Sequence, residues 1–220
     1  MSPAFDPTLA QRIETCGIVA VLVIDDAKDA VPLAKALLAG GVDVMELTLR
    51  TPAALDALKA IRAEVPEMLA GVGTILTTDQ VKQVVAAGAA FGVAPGVNPR
   101  ILAAAREAGL SFAPGIVTPS DIEVSLEHGC KILKFFPAEP SGGLAYLKAM
   151  AAPYAHLGLK FVPLGGLNAK NMASYLADAQ VAALGGSWLA PRDLIKAGEW
   201  DKITALAAEA VQIIKSTRNK

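Results

Sequence analysis

The sequence predicts an α/β protein folded as a single-domain (β/α)8 TIM barrel, and three observations predict it. Short β-like runs alternate with Ala-rich helical stretches from one end to the other. Eight such runs can be marked, spaced by about 20 residues, the size of a compact βα unit. The runs are largely apolar, which implies parallel strands covered by helices. Eight uninterrupted repeats favour a closed barrel over an open sheet. The domain is expected to span residues 1–220, with residues 1–15 as an N-terminal helical lead-in. A domain of this size needs neither disulfides nor a structural metal.

The predicted strands of the first half are Ile18–Val23, Val44–Leu49, Leu69–Gly73 and Phe91–Ala94. Those of the second half are Ser111–Pro114, Ile132–Phe135, Lys160–Pro163 and Val181–Leu184. Helix boundaries are marked as well. Asp25-Asp26 opens the first connecting helix and Gly40-Gly41 closes it; Thr51-Pro52 opens the second. Thr77-Thr78-Asp79, Pro119-Ser120-Asp121 and Asn168 open later ones. An open dinucleotide-binding sheet is the competing architecture. Gly71-Val72-Gly73-Thr74 lacks the third glycine of that fingerprint, and no acidic residue stands at the second strand end as the motif demands.

Composition narrows the function. The chain is 53% apolar and 5% aromatic with net charge −1, and acids and bases are mixed, so no basic face for nucleic acid is expected. The run Ile18–Ile24 is too short to cross a bilayer, and Met1–Asp6 lacks the pattern of a signal peptide. Cys16 and Cys130, in strand-like surroundings, read as reduced, buried small residues of a cytoplasmic protein. The expected partner is a small molecule.

In such a barrel the active site lies at the C-terminal ends of the strands. Lys134 stands near that end of the sixth predicted strand, in Lys131-Ile-Leu-Lys-Phe-Phe-Pro137. Alternation puts Ile132 and Lys134 on one face and Lys131 and Leu133 on the other. A lysine pointing into a barrel needs a partner or a task. An exposed strand-edge lysine is the alternative, and it suits Lys131. In the second strand, Glu46, Thr48 and Arg50 share the face of Val44. Glu46 is thus a candidate acid/base, or a structural ion-pair partner of Lys134 or Arg50. Gly165-Gly166 follows the seventh strand and Gly185-Gly186-Ser187 the eighth, the recurrent phosphate position of these barrels. Together the residues point to a substrate with a ketone, a carboxylate and a distal phosphate, clamped at the carboxylate by Arg50.

Six segments carry a resemblance over nearly the whole chain: Glu46-Leu-Thr-Leu-Arg-Thr51, Gly71-Val-Gly-Thr-Ile-Leu76, Ala94-Pro-Gly96, Pro114-Gly-Ile116, Lys134-Phe-Phe-Pro-Ala-Glu139 and Gly185-Gly-Ser-Trp188. The chain closely resembles the 2-keto-3-deoxy-6-phosphogluconate (KDPG) and 4-hydroxy-2-oxoglutarate (KHG) aldolases. The resemblance implies a Schiff base on Lys134 and proton transfer by Glu46. It implies carboxylate binding by Arg50 and Thr74, a pocket shaped by Pro95 and Phe136, and phosphate binding by Gly165, Gly166, Gly186 and Ser187. It also implies a homotrimer. One departure stands out: where the family reads Pro-Thr-Gly-Gly, this chain has Pro163-Leu164-Gly165-Gly166. Leu164 either enters the pocket or packs toward the helices.

The expected reaction is class I cleavage of the keto acid to pyruvate and glyceraldehyde 3-phosphate, needing no cofactor and no metal. KHG and 2-keto-3-deoxy-6-phosphogalactonate are alternative substrates. A metal-dependent aldolase would need a ligand cluster, whereas the only histidines, His128 and His156, fall before strands on the far side of the barrel. A non-catalytic phosphosugar-binding barrel, or an isomerase, would keep the glycine loops without needing Lys134 and Glu46 together. Glu139 reads as a solvated loop residue, with a lesser candidacy for proton transfer.

Overall fold

The computed structural model describes residues 4–218. The first three residues of the expected lead-in and the last two of the chain lie outside that range. Parallel strands β1 (Ile18–Leu22), β2 (Val44–Thr48), β3 (Leu69–Gly73), β4 (Phe91–Val93) and β5 (Ser111–Ala113) lie side by side. Then come β6 (Gly115–Ile116), β7 (Ile132–Phe135), β8 (Lys160–Pro163) and β9 (Leu184–Gly186), with β6, β7 and β8 paired in that order and β9 on the free edge of β1. Single bridges, Phe161 with Val181 and Leu164 with Gly185, join β8 to β9. The sheet therefore curls into the predicted (β/α)8 barrel.

Two strands differ from their expected bounds. The expected fifth strand ends at Pro114, where the chain crosses from pairing with β4 to pairing with β7. Proline has no N–H to continue a ladder, so the crossing falls there. The expected eighth strand, Val181–Leu184, is displaced toward the C-terminus. Gly185 and Gly186 are themselves strand residues, in register with Val19 and Ala20. Glycine is disfavoured in strands, so it disguised this one. Here close packing demands it: a Cβ on Gly185 would overlap the Leu164 side chain.

Helices α2 (Ala30–Ala39), α3 (Ala54–Glu64), α4 (Thr78–Ala86), α5 (Pro99–Glu107), α6 (Pro119–Glu127) and α7 (Gly143–Ala151) follow their strands on the outside. The signals at Thr77 and Thr118 act as expected, whereas Thr51-Pro52 does not cap α3, which starts at Ala54 without a side-chain cap while the Thr51 hydroxyl donates to Ile24 O. Thr77 and Gln80 form a reciprocal capping box on α4, and Thr118 and Asp121 form another on α6. Asp26 instead caps a single 3-10 turn before α2. The last helices are α8 (Met172–Leu176), α9 (Arg192–Lys196) and α10 (Trp200–Arg218). The alanine content has a packing reason. A Cβ on Gly40, at the end of α2, would overlap that of Ala207 in α10, and larger residues at this crossing would push the helices apart.

The lead-in helix α1 (Pro7–Cys16) is capped by Asp6, whose carboxylate accepts from Thr8 N at 2.7 Å and Leu9 N at 3.1 Å. Gly17, at φ 73°, ends it. Its Ile13, with Phe5, packs against Val19, Val44, Leu69 and Phe91 at the N-terminal mouth of the barrel. Each such side chain contributes about 1.5–3 kcal/mol by leaving water. That end is plugged, so the opposite mouth is the way in. Cys16 is the last residue of α1 and Cys130 sits just before β7, so neither lies in a strand. Both are free, and burial pushes both thiols up to about 11.

Candidate active site

Period-two alternation carries Val44 and Glu46 inward on β2 and Ile132 and Lys134 inward on β7. Glu46 is only 4% exposed and Lys134 7%. The Lys134 Nζ donates to Glu46 Oε1 at 3.1 Å and Oε2 at 3.3 Å, so the ion pair forms with Lys134 rather than Arg50. Lys131 is exposed, as its parity requires. Breaking a buried pair of this kind by deleting one partner typically costs about 3–5 kcal/mol.

The backbone makes room for the pair. In the register of β2 with β3, Thr48 lies beside Gly73, and a Cβ on Gly73 would overlap the Glu46 carboxylate. Gly73 is an essential part of the site that sequence reasoning did not single out. Its signal was present: a glycine at the end of the strand next to the one that carries the buried acid. Below the pair the interior narrows to a cavity of about 30 Å³, floored by Val19, Phe91, Val93, Ala113, Ile132 and Val162. That is room for about one water, so a substrate must lie above the pair, toward the open mouth.

The remaining expected residues gather around that mouth. Thr48, buried, donates through Oγ1 to Leu22 O at 2.9 Å and accepts from Arg50 Nε at 3.2 Å, which steadies the exposed guanidinium at the rim. Thr74 follows β3 at φ 61°, the single positive-φ residue other than glycine among those described. A β-branched side chain there stores about 1–3 kcal/mol of strain, a cost usually met at functional positions. The Phe136 ring centroid lies 5.6 Å from Lys134 Nζ. Pro95 is exposed, and its carbonyl lies so close to Gly115, the register partner of Lys134, that a Cβ there would overlap it. Leu164 lines the same cavity as Lys134 and Glu46, so it faces the barrel and not the helix layer.

The glycine loops are only partly as expected. Gly165 and Gly166 form a turn after β8 at φ 106° and 81°. Gly186 is buried inside β9, and only the exposed Ser187 belongs to the following loop. Asn168 does not cap a helix. Its Oδ1 accepts from Lys170 N at 2.9 Å, making a local turn, and α8 begins later, at Met172. Polar asparagine turns and caps use the same short side-chain reach, which is why the two look alike in sequence. Glu139 is exposed, as expected, but its carboxylate is taken up by the Tyr175 hydroxyl. At the rim, Asp25 after β1 is held down at about 2 by its hydrogen bond with Arg192, with Lys196 adding to the effect.

The fold and the site together define a (β/α)8 barrel with a buried lysine–carboxylate pair under its open mouth. Residues 9–206 match the model of the KDPG and KHG aldolase family. The KHG/KDPG aldolase of Escherichia coli (strain K12) is 46% identical over 206 residues, covering 93% of this chain and 96% of that protein. The 2-dehydro-3-deoxy-phosphogluconate aldolase of Treponema pallidum (strain Nichols) is 44% identical, covering 94% and 98%. A crystal structure of KDPG aldolase from Legionella pneumophila, with pyruvate captured as a covalent carbinolamine intermediate, aligns at TM-score 0.87 and 40% identity, covering 92% of this chain and 97% of that one. The chain belongs to the KDPG and KHG aldolase family.

Proposed function

We propose that this chain cleaves 2-keto-3-deoxy-6-phosphogluconate to pyruvate and glyceraldehyde 3-phosphate through a Schiff base on Lys134. The observation that carries the proposal is the buried Lys134–Glu46 pair, 3.1 Å apart beneath the mouth. One proton passed from the ammonium to the carboxylate leaves a neutral amine beside a carboxylic acid, a pair that carries no charge into a dry site. The amine attacks the C2 ketone, and Glu46 returns the proton to the departing hydroxyl so that water leaves and an iminium forms. Glu46 then takes the C4 hydroxyl proton as the C3–C4 bond breaks, its electron pair flowing into the iminium nitrogen. The same proton goes to C3 of the enamine, and hydrolysis releases pyruvate. Arg50 and Thr74 hold the substrate carboxylate, Pro95, Phe136 and Leu164 shape the pocket, and Gly165, Gly166, Gly186 and Ser187 receive the phosphate. The relatives' paired name favours KHG as a second substrate. Incubation with pyruvate and borohydride must add mass at Lys134; trapping at another lysine would end the assignment.

The proposal extends to a homotrimer in the cytoplasm acting on a phosphorylated keto acid. Sedimentation of the purified chain reads the assembly directly. No helix among the described residues is long and apolar enough to cross a membrane.

Two outcomes follow from side chains beside the pair. Gly73→Ala forces the Glu46 carboxylate aside, and a misplacement on the order of 1 Å lowers turnover about 10²-fold. Thermal unfolding should show a cost of about 1–3 kcal/mol as well, from overpacking. A variant with wild-type turnover would show that the carboxylate need not sit where it does. Leu164 points into the barrel just after β8, beside the pair, and carries no hydroxyl that a substrate could use. Leu164→Thr should therefore sharpen preference for the gluconate-derived substrate over its C4 epimer by about 1 kcal/mol, one net hydrogen bond. Catalytic efficiencies for both epimers decide it, and an unchanged ratio places specificity elsewhere in the mouth.

A further inference from the structure

Tyr175 and Glu139 have no part in the chemistry just described, yet they meet beside the Gly165-Gly166 turn. Tyr175 belongs to α8 and is 2% exposed. Its hydroxyl donates a hydrogen bond to Oε1 of Glu139, in the loop after β7. Burial pushes the phenol up, and the neighbouring carboxylate adds to this, so the hydroxyl stays a donor. The contact therefore ties two successive βα units together across the turn between them.

The turn is held through its carbonyls. Leu164 O accepts from Ala138 N at 2.8 Å, Gly165 O from Glu139 N at 3.0 Å, and Gly166 O from Asn171 Nδ2 at 3.2 Å. A trans peptide is planar with its C=O and N–H opposed, so anchoring three successive carbonyls turns the N–H groups of Gly165, Gly166 and Leu167 the other way. Glu139 also packs against the turn itself: a Cβ on Gly166 would stand 2.6 Å from the Glu139 Cβ. Gly166 cannot move toward β7 while Glu139 is in place. The Glu139 backbone is tied to the turn through its N–H, and Tyr175 fixes the side chain that lies over Gly166.

We infer that Tyr175 and Glu139 are positioning residues that hold the Gly165-Gly166 turn in its anion-binding shape. They set affinity for the phosphate end of the substrate and leave the reacting carbons alone. The inference rests on the aldolase reading above. Three variants test it in the full-length protein: Tyr175→Phe, Glu139→Ala and Glu139→Gln. The first two should raise KM for the phosphorylated keto acid about tenfold, the scale of one lost hydrogen bond to a charged group. Proton exchange at the pyruvate methyl needs no phosphate and should stay within roughly twofold of wild type. Glu139→Gln keeps an acceptor for the phenol and should restore most of the affinity. A wild-type KM in both Tyr175→Phe and Glu139→Ala overturns the inference. So does pyruvate exchange that falls in step with KM, because the pair would then support the barrel as a whole. A wild-type chain that neither captures pyruvate nor cleaves the keto acid defeats the aldolase reading and this inference together. If it does both while the variants keep their KM, the inference falls alone.

Discussion

Lys134→Arg is expected to fold and to lose turnover by about 10⁴–10⁶-fold, the scale on which enzymes lose a covalent nucleophile. A guanidinium remains protonated and has no free electron pair with which to form an imine. It can still pair with Glu46, so the buried carboxylate keeps a counter-charge and the barrel keeps its shape. Lys134→Met would confuse the two effects, because it strands Glu46 in a site where that residue is only 4% exposed. The arginine variant should also fail to gain mass with pyruvate and borohydride while melting near wild type. Retained cleavage in a well-folded arginine variant would show that the carbon–carbon bond is broken without an imine at this position.

Glu46→Gln carries the second large effect. The amide still fills the space opened by Gly73 but can no longer shuttle a proton. Imine formation should continue in part, whereas exchange at the pyruvate methyl should slow by roughly 10²–10⁴-fold, the usual contribution of a positioned acid/base. Measuring mass capture and methyl exchange on the same preparation separates the two steps. Exchange at the wild-type rate would assign the proton to another group. The stability reading is independent: a neutral partner leaves the Lys134 ammonium buried without a counter-charge, so the variant should also melt lower.

The Lys134–Glu46 pair is legible in the sequence because strands alternate with a period of two. With Ile132 inward, Lys134 must follow it, and Val44 likewise carries Glu46. The features that escaped depend on neighbours distant in the chain. Tyr175 and Glu139 are 36 residues apart, and nothing local to either announces their contact. Gly185 and Gly186 look like loop residues because glycine is disfavoured in strands in isolation. Only the Leu164 side chain lying across the next strand explains why glycine belongs there. Proline at 114 was visible, but that it moves the chain from one strand partner to the next needs the register of both. The N-terminal helix could be foreseen as a lead-in. Its work as the plug of the barrel rests on Phe5 and Ile13 meeting strands from four separate units.

The pairing of β1 with β9 has a consequence for how the chain is made. During synthesis the N-terminal strand emerges early, with one side open, and its true neighbour lies more than a hundred and fifty residues downstream. Until Leu184–Gly186 leaves the ribosome, Ile18–Leu22 is an apolar edge with unpaired backbone groups, the kind of surface that invites pairing with another nascent chain. Ring closure is the step with the greatest sequence separation, and such contacts form slowly. Messages translated by closely spaced ribosomes would hold several such edges within reach of one another. The stretch of synthesis between the first strand and the last is therefore where the open edge of β1 is most exposed to mispairing.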